Sequence, residues 1–117
     1  MIGLELSVRS DDRHRAELLH TLEDLCREQL TDGSCAECRV FEDLSRPNVF
    51  LWLQWWRSEP QLEDHLRSKA FRTLLGAIKV LGGLDSARIV ELQDSTSVMG
   101  AFLTDPAEGE RRPIENQ

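Results

Sequence analysis

The chain has 117 residues, which is enough for one domain with a single hydrophobic core. Its formal net charge is −7, from 14 basic and 21 acidic residues, and the basic residues are scattered among acidic ones. Binding to a phosphate backbone needs a clustered basic face, so this balance argues against a nucleic-acid partner. The sequence contains no apolar stretch long enough to span a membrane, and residues 1–6 lack the basic start of a signal peptide. We therefore expect a cytoplasmic protein with no membrane partner.

The first third of the chain predicts a strand, a helix and a second strand. Apolar and polar residues alternate over residues 2–9, which is typical of a half-buried strand. Apolar residues then recur at helical spacing over residues 12–30, after a cap supplied by Ser10-Asp11-Asp12. The turn Thr31-Asp32-Gly33-Ser34 ends this helix, and we expect the second strand over residues 36–43.

The next segment, residues 49–57, is the most informative of the sequence, and we call it the tryptophan strand. It holds all three tryptophans of the protein and is bounded by turn residues. Its alternation predicts two apolar faces, one formed by Leu51, Leu53 and Trp55 and the other by Phe50, Trp52, Gln54 and Trp56. Both faces are too apolar for water. We therefore expect helices to cover one face and a second copy of the chain to cover the other.

A second helix is predicted directly after the tryptophan strand, over residues 59–81, with a break near Ser68. Ser58 is a good N-cap, Pro60 lies in the first turn, and Gln61 completes a capping box.

The end of the chain predicts one more strand and an extension. Gly82-Gly83 stops the second helix, and a last strand is expected over residues 86–94. The apolar patch 98–103 predicts either a short extra strand or a frayed tail, and the polar composition of residues 104–117 predicts disorder.

The predicted order is β-α-β-β-α-β, the ferredoxin-like α+β arrangement, in which an antiparallel sheet carries two helices on one face. We assign residues 1–95 to this domain and residues 96–117 to a C-terminal extension. Because the helices leave one sheet face uncovered, we expect a homodimer that packs sheet against sheet through Leu51, Leu53 and Trp55.

The three cysteines allow several interpretations. Cys35 and Cys38 form a C-x-x-C motif, which is compatible with a redox dithiol or with half of a zinc site. A redox pair normally lies at a helix N-terminus, but this pair enters a predicted strand, where residues i and i+3 point to opposite faces. The remaining zinc-ligand candidates are Cys26, His14, His20 and His65, at no recognisable spacing. Structural thiols are the favoured interpretation, and we expect no metal site.

Residues 2–95 resemble the antibiotic-biosynthesis-monooxygenase-type dimeric α+β barrels. The likeness is densest from Phe50 to Glu59 and from His65 to Phe71, where the family has an apolar strand, then E-x-W, then a helix carrying H-L-x-S-x-x-F. It implies a cavity between sheet and helices and dimerisation through the other sheet face. Members include cofactor-free oxygenases that act on phenols or quinols. The resemblance therefore implies a cofactor-independent monooxygenase for a small phenolic, quinol or planar apolar molecule. The alternative is a non-catalytic dimeric module that binds a small molecule or has a structural role.

The resemblance also suggests site residues. His65 is the candidate acid or base, because its ordinary pKa of about 6.5 suits proton abstraction; it could equally be a hydrogen-bonded histidine at the cavity rim. The expected substrate-binding residues are Trp52, Gln54, Trp56, Leu62 and Phe71. Gln54 could orient a ligand oxygen or satisfy a backbone group, and Trp52 and Trp56 could be core or cavity wall.

Four positions depart from the polar residues of related oxygenases. Trp52 stands where those enzymes keep Asn, Gln54 where they keep Glu, and Leu62 where they keep Tyr, and their Arg falls at about Gly76. These departures favour the non-catalytic alternative. The haem-degrading members are a poorer match, since their axial His corresponds to Leu75.

Overall fold

The computed structural model describes residues 1–33, 35–93 and 96–103. Its elements, in chain order, are β1 (Ile2–Ser10), α1 (Arg15–Thr31), β2 (Glu37–Glu42), β3 (Val49–Trp56), α2 (Glu59–Leu66), α3 (Lys69–Leu81), β4 (Gly82–Glu91) and α4 (Thr96–Leu103). The strands form one sheet in the order β2-β3-β1-β4, and every neighbouring pair is antiparallel. The predicted ferredoxin-like α+β fold is confirmed. Among the described helices, none combines the length and the apolar character needed to cross a bilayer.

The first helix begins later than the sequence predicts. It starts at Arg15 rather than at residue 12, and its N-cap is His14, which makes no side-chain capping bond. Asp11 instead accepts a hydrogen bond from the His14 backbone N–H at 2.8 Å. The predicted cap at Ser10-Asp11-Asp12 is therefore wrong, because Asp11 stabilises a turn that precedes the helix.

The predicted break near Ser68 is confirmed, and it divides the second helical region into α2 and α3. The Ser58 hydroxyl caps α2 by accepting from the Gln61 N–H at 3.4 Å, and the Ser68 hydroxyl caps α3 by accepting from the Phe71 N–H at 3.1 Å. Ser68 also donates to the His65 carbonyl at 2.6 Å, so one side chain ends α2 and begins α3.

The last strand starts at Gly82, four residues earlier than predicted, directly after α3. Gly82 pairs with Ser10 at the edge of the sheet, and a Cβ atom there would lie 2.0 Å from the Arg9 carbonyl oxygen. Only glycine allows the chain to pass from helix to sheet at this distance. No loop is needed, which is why the strand begins early.

The apolar patch 98–103 lies in helix α4, so the predicted extra strand is wrong. The periodicity of so short an apolar run cannot distinguish a strand from a helix, which is why the sequence did not predict α4. Met99, Phe102 and Leu103 are exposed. The disorder predicted for residues 104–117 concerns residues outside the described part of the chain.

The tryptophan strand, which is β3, has the two faces that its alternation predicts. Buried and half-buried residues alternate from Phe50 to Trp56. The side chains on the inner face pack against the helices and are almost completely buried: Phe50, Trp52, Gln54 and Trp56. Trp52 has no exposed surface and is the largest fully buried side chain. The outer face is half-buried in the single chain.

We expect the Trp52→Ala substitution to lower the free energy of unfolding by about 3–5 kcal/mol, because it removes a large side chain from a close-packed core and leaves a cavity. Urea denaturation followed by circular dichroism measures this loss. The matched control is Leu44→Ala at a residue that is 95% exposed, where the change should stay within about 0.5 kcal/mol. A Trp52 variant as stable as the control would show that Trp52 does not hold the two layers together.

Candidate functional site

A cleft of about 370 Å³ opens at the carboxyl end of the tryptophan strand. It lies between the end of α1 and the α2–α3 junction, and its lining is mixed apolar and polar: Gln29, Asp32, Trp56, Gln61, Asp64, His65, Ser68 and Ala70. This volume falls at the lower end of the range for small-molecule sites. The cleft is therefore of a size to hold a molecule with one or two rings.

His65 forms one wall of the cleft and is only 6% exposed. Its ring lies 4.5 Å from the Trp56 ring, measured between centroids, and 5.3 Å from the Phe71 ring in an edge contact. Burial lowers the pKa of His65 to about 4, and the Asp32 carboxylate opposes this shift without cancelling it. The pKa of His65 is therefore well below the ordinary value of about 6.5 expected from the sequence. His65 is neutral at pH 7.

Two residues that line this cleft each carry a buried polar atom without a hydrogen-bond partner among the described residues. These atoms are Nε2 of His65 and Nε1 of Trp56. The indole nitrogen is a donor only, whereas a neutral imidazole nitrogen donates or accepts according to its tautomer. Buried polar groups in folded proteins are nearly always paired, so two unpaired ones at one cleft call for a functional explanation.

Gln54 is completely buried and does not line the cleft. Its Nε2 donates to Oε1 of Gln29 at 2.6 Å, which joins β3 to α1 through two side-chain amides. The sequence suggested that Gln54 orients a ligand or satisfies a backbone group, but its bond in the structure goes to another side chain. Gln29 itself lines the cleft, so Gln54 contacts a lining residue without lining the cleft itself.

The other expected binding residues divide between the cleft and the core. Phe71 is half-buried and reaches the site through its contact with His65. Trp52 and Leu62 are buried in the core and do not belong to the cleft lining. The structure thus groups His65, Trp56 and Phe71 and places Trp52 and Leu62 beneath them.

Sequence reasoning missed several polar residues of the lining. Gln29 could have been found, because it continues the buried face of α1 formed by Leu18, Leu22 and Cys26 and is polar at an apolar position. Asp32 and Gln61 carried no such signal, since a turn and a capping box already explained them.

The three cysteines are free and buried, and they lie together in the core cluster. The expectation that Cys35 and Cys38 point to opposite faces is wrong, because β2 begins only at Glu37 and Cys35 lies in the preceding bend. Strand alternation therefore does not apply to the pair. The described residues contain no group of three or more His, Cys, Asp or Glu side chains arranged to hold a metal ion.

The family model for antibiotic biosynthesis monooxygenases matches residues 1–76, which is more than half of the chain. The chain belongs to this family. The match includes the tryptophan strand, His65 and Phe71, and thus His65 with the two aromatic rings that contact it. None of the curated proteins compared with the chain matches it significantly.

Solved structures share the fold of this family member. A proposed antibiotic biosynthesis monooxygenase of Deinococcus radiodurans is 23% identical, with a TM-score of 0.69 over 80% of this chain and 94% of that one. A Bacteroides thetaiotaomicron protein of unknown function, described as a possible oxidoreductase, is 23% identical, with a TM-score of 0.69 over 78% and 96% of the two chains. A conserved Methanosarcina mazei protein is 21% identical, with a TM-score of 0.67 over 79% and 92%. At this identity the likeness establishes the fold.

The buried imidazole of His65 should make the free energy of unfolding depend on pH. The His65→Leu variant, which has no titratable group at this position, should lack that contribution. The folded-state pKa of His65, about 4, lies below the value of about 6.5 for an unfolded histidine, so between these values the unfolded chain binds more protons. The stability from the neutral imidazole is complete above pH 6.5 and is lost as the pH falls toward 4. Relative to His65→Leu, the wild-type free energy of unfolding should decrease by up to about 3 kcal/mol over this range.

Urea denaturation at a series of pH values measures this difference, and the carboxylates shared by both proteins cancel in it. The control is His20→Leu on the exposed side of α1. Parallel pH profiles for the wild type and His65→Leu would contradict the buried, neutral state of His65.

Proposed function

We propose that the cleft beside His65 binds a small phenol or quinol and that the protein oxidises it as a cofactor-independent monooxygenase. The observation that carries this proposal is the pair of buried, unpartnered polar atoms, His65 Nε2 and Trp56 Nε1, in residues that line a partly aromatic cleft. A phenolic hydroxyl can donate to the imidazole and accept from the indole. Membership of the monooxygenase family supports the same chemistry.

His65 is suited to accept the hydroxyl proton only once the substrate is bound. A phenol has a pKa of about 10, so transfer to an imidazole with a pKa of about 4 is uphill by about 8 kcal/mol without further interactions. A phenolate at hydrogen-bond distance supplies about 4 kcal/mol or more of attraction for the new imidazolium. Asp32 acts in the same direction, because its carboxylate raises the pKa of His65. In the empty cleft, His65 is thus a neutral acceptor.

The proposed oxidation needs no bound metal or flavin. A deprotonated quinol can transfer an electron directly to O₂, and the two radicals combine to form a carbon–oxygen bond. One oxygen atom stays on the ring and the other leaves as water, so hydroquinone and O₂ give hydroxyquinone and water. The substrate supplies all four electrons, and the protein binds, orients and deprotonates it.

The second candidate function is a non-catalytic dimeric module that binds a small molecule or has a structural role. Trp52 favours it, because this fully buried indole occupies the space between sheet and helices where the family resemblance implies a substrate cavity. The polar residues of related oxygenases are also absent at Trp52, Gln54 and Leu62.

The homodimer is part of either proposal. The outer sheet face carries Leu53 and Trp55, which border a surface hollow of about 320 Å³ together with Phe41 and the charged pair Glu37 and Arg39. Leu51 continues the same apolar stripe. A second copy of the chain would cover this stripe and remove it from water.

We expect Leu53→Glu to convert a dimer to a monomer, because two charges would be buried at the centre of a symmetric interface. Sedimentation equilibrium of the wild type should give twice the chain mass, and the variant should give the mass of one chain. Leu44→Glu, on the exposed β2–β3 turn, is the matched control and should leave the mass unchanged. A monomeric wild type would rule out this interface.

Oxygen uptake with a panel of hydroquinones, in protein freed of metal and flavin, tests the catalytic proposal. We expect uptake with at least one quinol and a decrease of at least about 100-fold in His65→Leu, the magnitude typical of lost acid–base catalysis. His20→Leu is the control and should keep the wild-type rate.

Quenching of tryptophan fluorescence by the same quinols separates binding from turnover, because Trp56 lines the cleft. Quenching without uptake would reject the monooxygenase in favour of the binding module. Wild-type uptake in His65→Leu would reject the role of His65 as the proton acceptor.

A further inference from the structure

The three thiols of the chain meet although they come from different elements. Cys26 lies on the buried face of α1, Cys35 lies in the bend before β2, and Cys38 lies within β2. They are 8%, 6% and 3% exposed, respectively, and all are free. The bend at residues 35 and 36 turns the C-x-x-C segment back toward the sheet, which brings the thiols of Cys35 and Cys38 within hydrogen-bond reach.

Cys38 is the central member of this thiol cluster. Its sulfur is within hydrogen-bond reach of Cys35 on one side and of Cys26 on the other. The hydrogen bond with Cys38 lowers the pKa of the Cys35 thiol, whereas that same bond and burial raise the pKa of Cys38. Burial likewise raises the pKa of Cys26. The three thiols therefore differ, and Cys35 is the one favoured as a thiolate.

The thiol cluster borders a groove that shares no lining residue with the His65 cleft. Cys26 and Cys38 line an open groove of about 370 Å³ between α1 and β2, together with Arg27 and Arg39. A molecule as small as hydrogen peroxide fits such a groove. The groove thus brings small oxidants to Cys26 and Cys38, and Cys35 is next to it through its hydrogen bond with Cys38.

We propose that Cys35 and Cys38 are a dithiol that hydrogen peroxide oxidises to a disulfide. The sulfur of Cys35 attacks one peroxide oxygen, which forms an S–O bond, breaks the O–O bond and releases one water after proton transfer. The sulfur of Cys38 then attacks that of Cys35, which forms the S–S bond and releases the sulfenic oxygen as a second water. The two thiols lose two electrons and two protons, and the peroxide accepts them.

The position of the pair links it to the interior of the site. Cys35 is hydrogen-bonded to Gln54, Gln54 donates to Gln29, and Gln29 lines the His65 cleft. Two amide side chains therefore separate the dithiol from the cleft. The proposal concerns the thiols alone and does not depend on what the cleft binds.

The test uses the full chain, reduced, freed of reductant and treated in its native state with a small excess of hydrogen peroxide. The protein is then denatured, alkylated and analysed by mass spectrometry. We expect one of the three thiols to be alkylated, the mass to fall by two hydrogen atoms before alkylation, and peptide mapping to join Cys35 to Cys38. Dithiothreitol should restore three alkylatable thiols.

Two variants make the assignment specific. Cys26→Ser keeps the C-x-x-C pair and should still lose both remaining thiols on oxidation. Cys38→Ser removes the resolving thiol, so Cys35 should instead stay as a sulfenic acid that dimedone traps. Three alkylatable thiols after treatment of the wild type, a disulfide that includes Cys26, or a disulfide between two chains would each overturn the proposal.

Discussion

The two apolar faces of the tryptophan strand are the constraint on which the rest of the structure depends. β3 is an inner strand of the sheet, paired with β2 on one side and with β1 on the other. Strand pairing covers its edges, and both of its apolar faces still need a covering layer. Its inner face requires helices above it. The turn from β3 to α2 is short because Ser58 caps the helix two residues after the strand ends. α2 therefore folds back over the strand that precedes it.

This local reversal also creates the site. Leu62 and His65 are three residues apart in α2 and share its buried face, so the packing that buries Leu62 also carries His65 to the sheet. There it meets Trp56, the last residue of the same strand. Ser68 ends α2 immediately afterwards, and its bond to the His65 carbonyl fixes the turn on which Phe71 reaches the imidazole. One continuous segment of the chain thus brings together the rings of Trp56, His65 and Phe71.

The sequence predicts those features that depend on local pattern and misses those that depend on distant pairing. Alternation and capping were sufficient for the order of the elements, for the two faces of β3 and for the break at Ser68. The early start of β4 was not visible, because it follows from the approach of Gly82 to Arg9, 73 positions apart in the chain. The low pKa of His65 was missed for a similar reason. It results from burial between two rings, which no spacing of residues reports.

The unpaired polar atoms show where this fold is not optimised for stability. A buried donor or acceptor without a partner costs about 1–3 kcal/mol. The described residues contain six such side-chain atoms, and three of them lie at or next to the cleft: Nε2 of His65, Nε1 of Trp56 and Oε1 of Gln54. Nε1 of Trp52 is also unpaired, but this indole is fully buried and fills the centre of the sheet–helix interface.

The layers are therefore closed at Trp52, and the His65 cleft opens at the Trp56 end. Two of these three atoms belong to residues that line the cleft, whereas Gln54 is joined to the cleft lining only through Gln29. The proposed substrate site is thus at the mouth of the sheet–helix interface, where His65 and Trp56 form part of the wall.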